Sequence, residues 1–162
     1  MKKIALILVF FCCNFNMLGQ IASATYDSKI KDQLDRLGMK YEITDGGNFK
    51  LIINFTDNRS QVVIVYSKTW ESESTNLTIR EISAPIYKNS YIPTNILKKA
   101  LDANYNEILG SFQTISTEEN SLLLYTLKVN DVVPDDLLKR LINQCAITAD
   151  KYEESFFGSD EY

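Results

Sequence analysis

Residues 92–129, IPTNILKKALDANYNEILGSFQTISTEENSLLLYTLKV, carry a helix signal followed by two strand signals. Pro93 suits the first position of a helix, where a missing N–H costs nothing, and Ile96, Leu97, Ala100, Leu101 and Tyr105 follow at helical spacing. Beyond Gly110 the period shortens. Leu123, Tyr125, Leu127 and Val129 alternate with Leu122, Leu124, Thr126 and Lys128, as in a strand buried on one face and partly covered on the other. A helix laid against a sheet is therefore expected, with Leu101 in the middle of the buried stripe.

Upstream, Asp27 and Ser28 can cap a short helix whose stripe is Ile30, Leu34 and Leu37 and whose stop is Gly38. Met39, Tyr41 and Ile43 then alternate with polar residues up to the turn Asp45-Gly46-Gly47-Asn48, and Phe49, Leu51, Ile53 and Phe55 give the inward face of the next strand. After the turn at Asp57-Asn58-Arg59-Ser60, the run Val62-Val63-Ile64-Val65 reads as a central strand covered on both faces. The polar stretch SKTWESESTN, residues 67–76, reads as an extended hairpin end. A strand resumes at Leu77 and runs towards Ser83, with Pro85 suggesting an edge or an irregular finish. Downstream of the opening stretch, Pro134, Asp135 and Asp136 start a last helix, because proline fits its first position and the acids oppose the positive end of its dipole. Leu137, Leu138, Leu141, Ile142, Cys145, Ala149 and Tyr152 continue its apolar stripe, and Asp160-Glu161-Tyr162 form a tail. The expected fold class is α+β, an antiparallel sheet with helices packed on it in the order α-β-β-β-(β)-α-β-β-α.

At the N-terminus, Met1-Lys2-Lys3, an apolar run to Cys13 and Ala22-Ser23-Ala24 together read as a secretory signal peptide over residues 1–24. The run is too short for a stable membrane span after cleavage, and Phe11 sits where a lipoprotein would need a small residue before its modified cysteine. The expected product is one domain, residues 25–162, in the periplasm or secreted. Without the two lysines of the leader, 15 basic residues remain against 21 acids, a net charge of −6. No clustered basic face accompanies that balance, which argues against nucleic acid as a partner. Only Cys145 remains outside the leader, so the core supplies the stability without an internal disulfide, and Cys145 should be a buried, unreactive member of it. Histidine is absent, which removes the usual general base at neutral pH, the usual zinc ligand and every Ser/His or Cys/His nucleophile.

The helix Leu97-x3-Leu101-x2-Asn104, then Gly110-Ser111-Phe112, an apolar strand and a final helix from Pro134 through Ala149-Asp150 resemble the YbjN family, whose fold is like that of type III secretion chaperones. The resemblance covers the chain from about Ile30 to Phe157. It implies an α-β-β-β-α-β-β-α domain that binds proteins or assembles with itself, and it brings no catalytic residues. The export signal departs from that family.

The paired acids Glu118-Glu119, Asp135-Asp136, Glu153-Glu154 and Asp160-Glu161 are explained by a turn, a helix start, a helix face and a tail. No EF-hand spacing is present, and Ser60 and Ser111 have no partner base that spacing would nominate, so no metal, cofactor or catalytic residue is assigned. Asn104 is expected to bond the backbone of the segment after its helix. The sequons at Asn54, Asn58 and Asn76 mark nothing by themselves. Trp70, in a polar loop, is the leading candidate for partner contact, because an exposed indole offers large apolar area at low entropy cost. The opposing reading folds it back over the sheet edge. Tyr87, Tyr91, Phe156 and Phe157 are further candidates, with the last two equally able to pin the final helical turn. The sequence reads as an exported, non-enzymatic module that binds an unknown protein or itself as a homo-oligomer. The alternative is a small-ligand carrier with its pocket between the sheet and the Pro93 helix.

Overall fold

The computed structural model describes residues 25–56 and 58–158. The expected leader, the cleavage point at Ala24, Asp57 and the acidic tail lie outside the described residues. In chain order the elements are α1 (Ser28–Arg36), β1 (Glu42–Ile43), β2 (Phe49–Asn54), β3 (Ser60–Ser72), β4 (Leu77–Asn89), α2 (Thr94–Asn104), β5 (Gly110–Ser116), β6 (Ser121–Asn130) and α3 (Asp135–Phe157). The strands form one antiparallel six-stranded sheet in the order β1-β2-β3-β4-β6-β5. The α+β class and element order expected from the sequence are those observed.

α3 lies across β3, β4 and β6, with α1 beside it and α2 against β5. Alternation along each strand sends Phe49, Leu51, Val63, Val65, Ile82, Leu123, Tyr125 and Leu127 to the helices, where they share a cluster with Leu138, Ile142, Cys145 and Ala149 of α3. Cys145 is fully buried, and its Sγ donates to the carbonyls of Ile82 and Tyr125 at 3.5 and 3.7 Å.

Three expectations change. On α2 the buried residues are Ile96, Ala100 and Ala103, whereas Leu101 is 69% and Tyr105 93% exposed. The helix presses its small residues onto the sheet, and that rotation carries the neighbouring large ones out to water. β3 and β4 are each 13 residues long, so the polar stretch around Trp70 is strand rather than loop. β4 is central, and Pro85 sits where its register against β6 shifts between Pro85 and Tyr87. A bulge is where a strand interior tolerates a residue with no N–H to donate. The carbonyl of Pro85 accepts from the buried Gln61 side chain at 2.6 Å.

The chain before α1 is clamped to the sheet. Asp27 caps α1 by accepting from the Lys29 N–H at 2.8 Å, and its other carboxylate oxygen meets Arg80 Nη2 at 2.5 Å. Arg80, only 2% exposed, also donates to the carbonyls of Tyr66 and Ser67, which the irregularity in β3 between Val65 and Thr69 leaves available. Gly47, at φ +76°, packs against the carbonyl of Thr25, where any Cβ would collide with that oxygen.

Candidate functional site: the open face of the sheet

All three helices among the described residues pack on the same side of the strands, and the other side carries its own set of apolar residues. The register places Ile52 of β2 opposite Val62 of β3, and Pro85 of β4 opposite Leu124 of β6, with Leu122 opposite Ile115 of β5 at the far edge. Ile64 and Tyr66 continue the face along β3. All of these side chains but Ile52 line a shallow depression of about 440 Å³ together with Lys50 and Ser83. Ile52 is 54% and Ile115 45% exposed, while Val62, Ile64, Pro85 and Leu122 are half-buried by their neighbours alone. The run Val62-Val63-Ile64-Val65, expected to be covered on both faces, is covered on one.

Polar groups within this face are satisfied locally. Ser83 and Thr126, both nearly inaccessible, share a hydrogen bond of 2.8 Å between β4 and β6. Burial raises the Tyr66 hydroxyl above its usual value, reinforced by the Glu81 charge, so Tyr66 is a neutral phenol on this face. The charges pair across strands: Lys50 with Glu42 at 3.4 Å and Lys128 with Glu81 at 3.5 Å. Surface pairs of this kind contribute little stability, but they leave an apolar field bordered by mutually neutralised charges.

Trp70 belongs to the same face. It pairs with Ile79, two residues from Glu81, and lines a hollow with Ile79, Glu81 and Lys128. Its ring is 54% exposed and carries the Lys68 ammonium 4.1 Å from its centroid. It therefore projects from a strand as exposed aromatic area and does not fold over an edge. Tyr91, after β4, is also exposed. The other three candidates are engaged within the chain. Tyr87 stacks on Phe157 with centroids 4.6 Å apart, and Phe156 packs against Phe112 and Tyr152. That aromatic cluster pins the end of α3 to β4 and β5. The structure thus places Trp70 on the open face, leaves Tyr91 apart from it and sets Tyr87, Phe156 and Phe157 at the far end of α3.

Asn104 has the local role expected of it: its Oδ1 accepts from the Phe112 N–H at 2.6 Å, fixing the end of α2 to β5. Nearby, Glu107 accepts from the hydroxyls of both Tyr125 and Tyr152, at 3.0 and 2.8 Å, and ties the α2–β5 loop to the core. Among the described residues, no group of three or more His, Cys, Asp or Glu side chains converges as a metal site would require. Among the same residues no helix is long and apolar enough to cross a membrane.

Comparison with protein-family models and with curated proteins finds no match. The surface itself therefore carries the functional reading.

Proposed function

We propose that this protein is an exported, non-enzymatic module that binds another protein, or a second copy of itself, through the open face of its sheet. The observation that carries the reading is the apolar band Val62, Ile64, Pro85, Leu122 and Ile115, with Ile52 exposed beside it and Leu124 buried among its neighbours, which no described element covers. Contiguous exposed apolar surface on a soluble domain marks an interaction site. Its size fits: six strands of 2 to 13 residues, at ~4.8 Å spacing and ~3.3 Å per residue, span a face on the order of 800 Å², against ~800 Å² per partner in a standard interface. The face is broad and shallow, whereas sites for small molecules are concave and enclose most of their ligand. Between α2 and the sheet, where a small ligand was the alternative, Ile96, Ala100 and Ala103 are buried in one cluster with Phe112, Leu123 and Tyr125. The resemblance to the YbjN family points the same way, towards protein binding. Export rests on the leader pattern alone.

The test is affinity capture from the envelope fraction of the expressing cell, with the wild-type protein and an Ile115→Lys, Trp70→Ala double variant. Both positions are about half-exposed, so the variant should fold normally. Loss of one specific partner with unchanged melting is the expected result. Equal capture by the variant would remove the open face as the contact surface.

A further inference from the structure

The β1–β2 ladder ends early, and what it leaves open has a shape of its own. β1 contributes Glu42 and Ile43, opposite Lys50 and Phe49. In an antiparallel ladder a residue sends its N–H and C=O to the same side, and successive residues alternate sides. Phe55 bonds towards β3, its N–H reaching Arg59 O at 2.8 Å, and Thr44 bonds Asn48 at 2.9 Å on the β1 side. The even-numbered residues of β2 therefore face β1. Lys50 has its partner there, and Ile52 and Asn54 do not: among the described residues no backbone group bonds to either from that side.

The gap is held open by the chain that would have closed it. Tyr41 would continue β1 opposite Leu51, but its ring packs edge-on against Phe49 at 5.3 Å and its hydroxyl donates to Asp35 Oδ1 at 2.8 Å. That pull towards α1 separates the two strands. A groove of about 470 Å³ results, lined by Lys40, Tyr41, Glu42, Lys50, Ile52 and Asn54. One wall is an unpaired strand edge, and Ile52 at its rim begins the apolar band of the open face. Glu42 is already held by Lys50, while Lys40 has no acidic partner within ion-pair distance among the described residues. The groove is thus net basic in a chain that is net acidic.

The geometry points to this groove as a β-augmentation site for an extended, acidic peptide segment of another protein. The segment pairs with the backbone of Ile52 and Asn54, sets an apolar side chain beside Ile52 on the open face, and sends an acidic side chain two residues away towards Lys40 and Lys50. Backbone pairing supplies affinity and the alternate side chains supply selectivity. A second copy pairing through this same edge would bring its own Lys40 and Lys50 against these, like charge against like, whereas an acidic segment complements them. The inference rests on the protein-binding reading and names the chemistry of what is bound.

The probe is the synthetic peptide Thr-Glu-Thr-Val-Thr-Glu-Thr, with a counterpart carrying lysine at both glutamate positions, added to the 15N-labelled protein. With the acidic peptide, the Ile52 and Asn54 amides should shift, and their hydrogen exchange should slow about tenfold or more. The lysine counterpart should bind about tenfold more weakly, as should the acidic peptide to Lys40→Glu, whose exposed position leaves melting unchanged. No binding at millimolar peptide, equal binding of both peptides, or shifts confined to the Trp70 end of the sheet would each overturn the proposal. So would protection of Ile52 and Asn54 by self-association without peptide, which would make a second copy the occupant. If the groove fails while the open-face double variant still loses its captured partner, the inference falls and the protein-binding function stands. If capture is also unaffected by that variant, both fall.

Discussion

Arg80 shows what a single residue can demand of the chain. Its guanidinium is out of water, held by two carbonyls of β3 and by the Asp27 carboxylate. Removing one partner of a buried pair leaves the other charge uncompensated, so Asp27→Ala should cost about 3–5 kcal/mol in urea unfolding. A loss below ~0.5 kcal/mol would mean that water reaches Arg80. Nothing in the sequence singled this residue out, because Ile79-Arg80-Glu81 reads as ordinary strand alternation and the accepting carbonyls are exposed only by an irregularity in another strand. Cys145 was legible, since its helical stripe has one period and one side. Burial pushes its thiol up to about 12, so thiolate is scarce at neutral pH and labelling should proceed only as fast as the fold opens. Rapid labelling of the native protein would contradict its burial. Leu101 was misplaced, because Leu101 and Ala100 occupy adjacent stripes of one helix and periodicity alone does not say which faces the sheet. Leu101→Ala should therefore cost less than ~0.5 kcal/mol, and Ile96→Ala about 2–5.

Among the elements, helix starts and turn residues were the readable part. Asp27 and Gly38, at φ +65°, mark boundaries where the sequence placed them, and Pro93 and Pro134 stand one position earlier than expected, as extended N-caps, because a cap or a fixed φ acts locally. The outer half of β3 was not readable as strand, since it is mostly polar and largely open to solvent, whereas the outer half of β4 from Leu77 was. α1 is held to the start of α3 by Arg36, bonded to Asp135 at 2.7 and 2.9 Å, and by Gln33, bonded to Val133 O and Asp135. The Arg36 hydrogen bonds, then the Gln33 bond, lower the Asp135 carboxyl from 3.8 to about 2. A folded-state value below the unfolded one contributes stability that is complete above about 3.8 and is lost as pH falls through about 2. Carboxyl carbon shifts followed from pH 5 downwards should show Asp135 titrating near 2 and moving up in Arg36→Ala. A wild-type midpoint near 3.8 would show that the contact between the helices does not form in solution.

For the whole molecule the decisive property is one-sided coverage. An apolar run such as Val62-Val63-Ile64-Val65 has the same appearance whether its second face meets a helix of its own chain or a surface belonging to something else, so the sequence read it as doubly buried. Among the described residues the structure assigns every helix to one side and leaves the other with its apolar band, Trp70 and two cross-strand ion pairs. A photoreactive amino acid placed singly at Ile52, Trp70 or Ile115 on the open face, and at Lys139 or Ile147 on the exposed side of α3, tests this directly in the expressing cell. Binding through the open face predicts discrete higher-mass adducts after irradiation from the three open-face positions and none from α3. Adducts from α3 alone, or none from any open-face position, would contradict it.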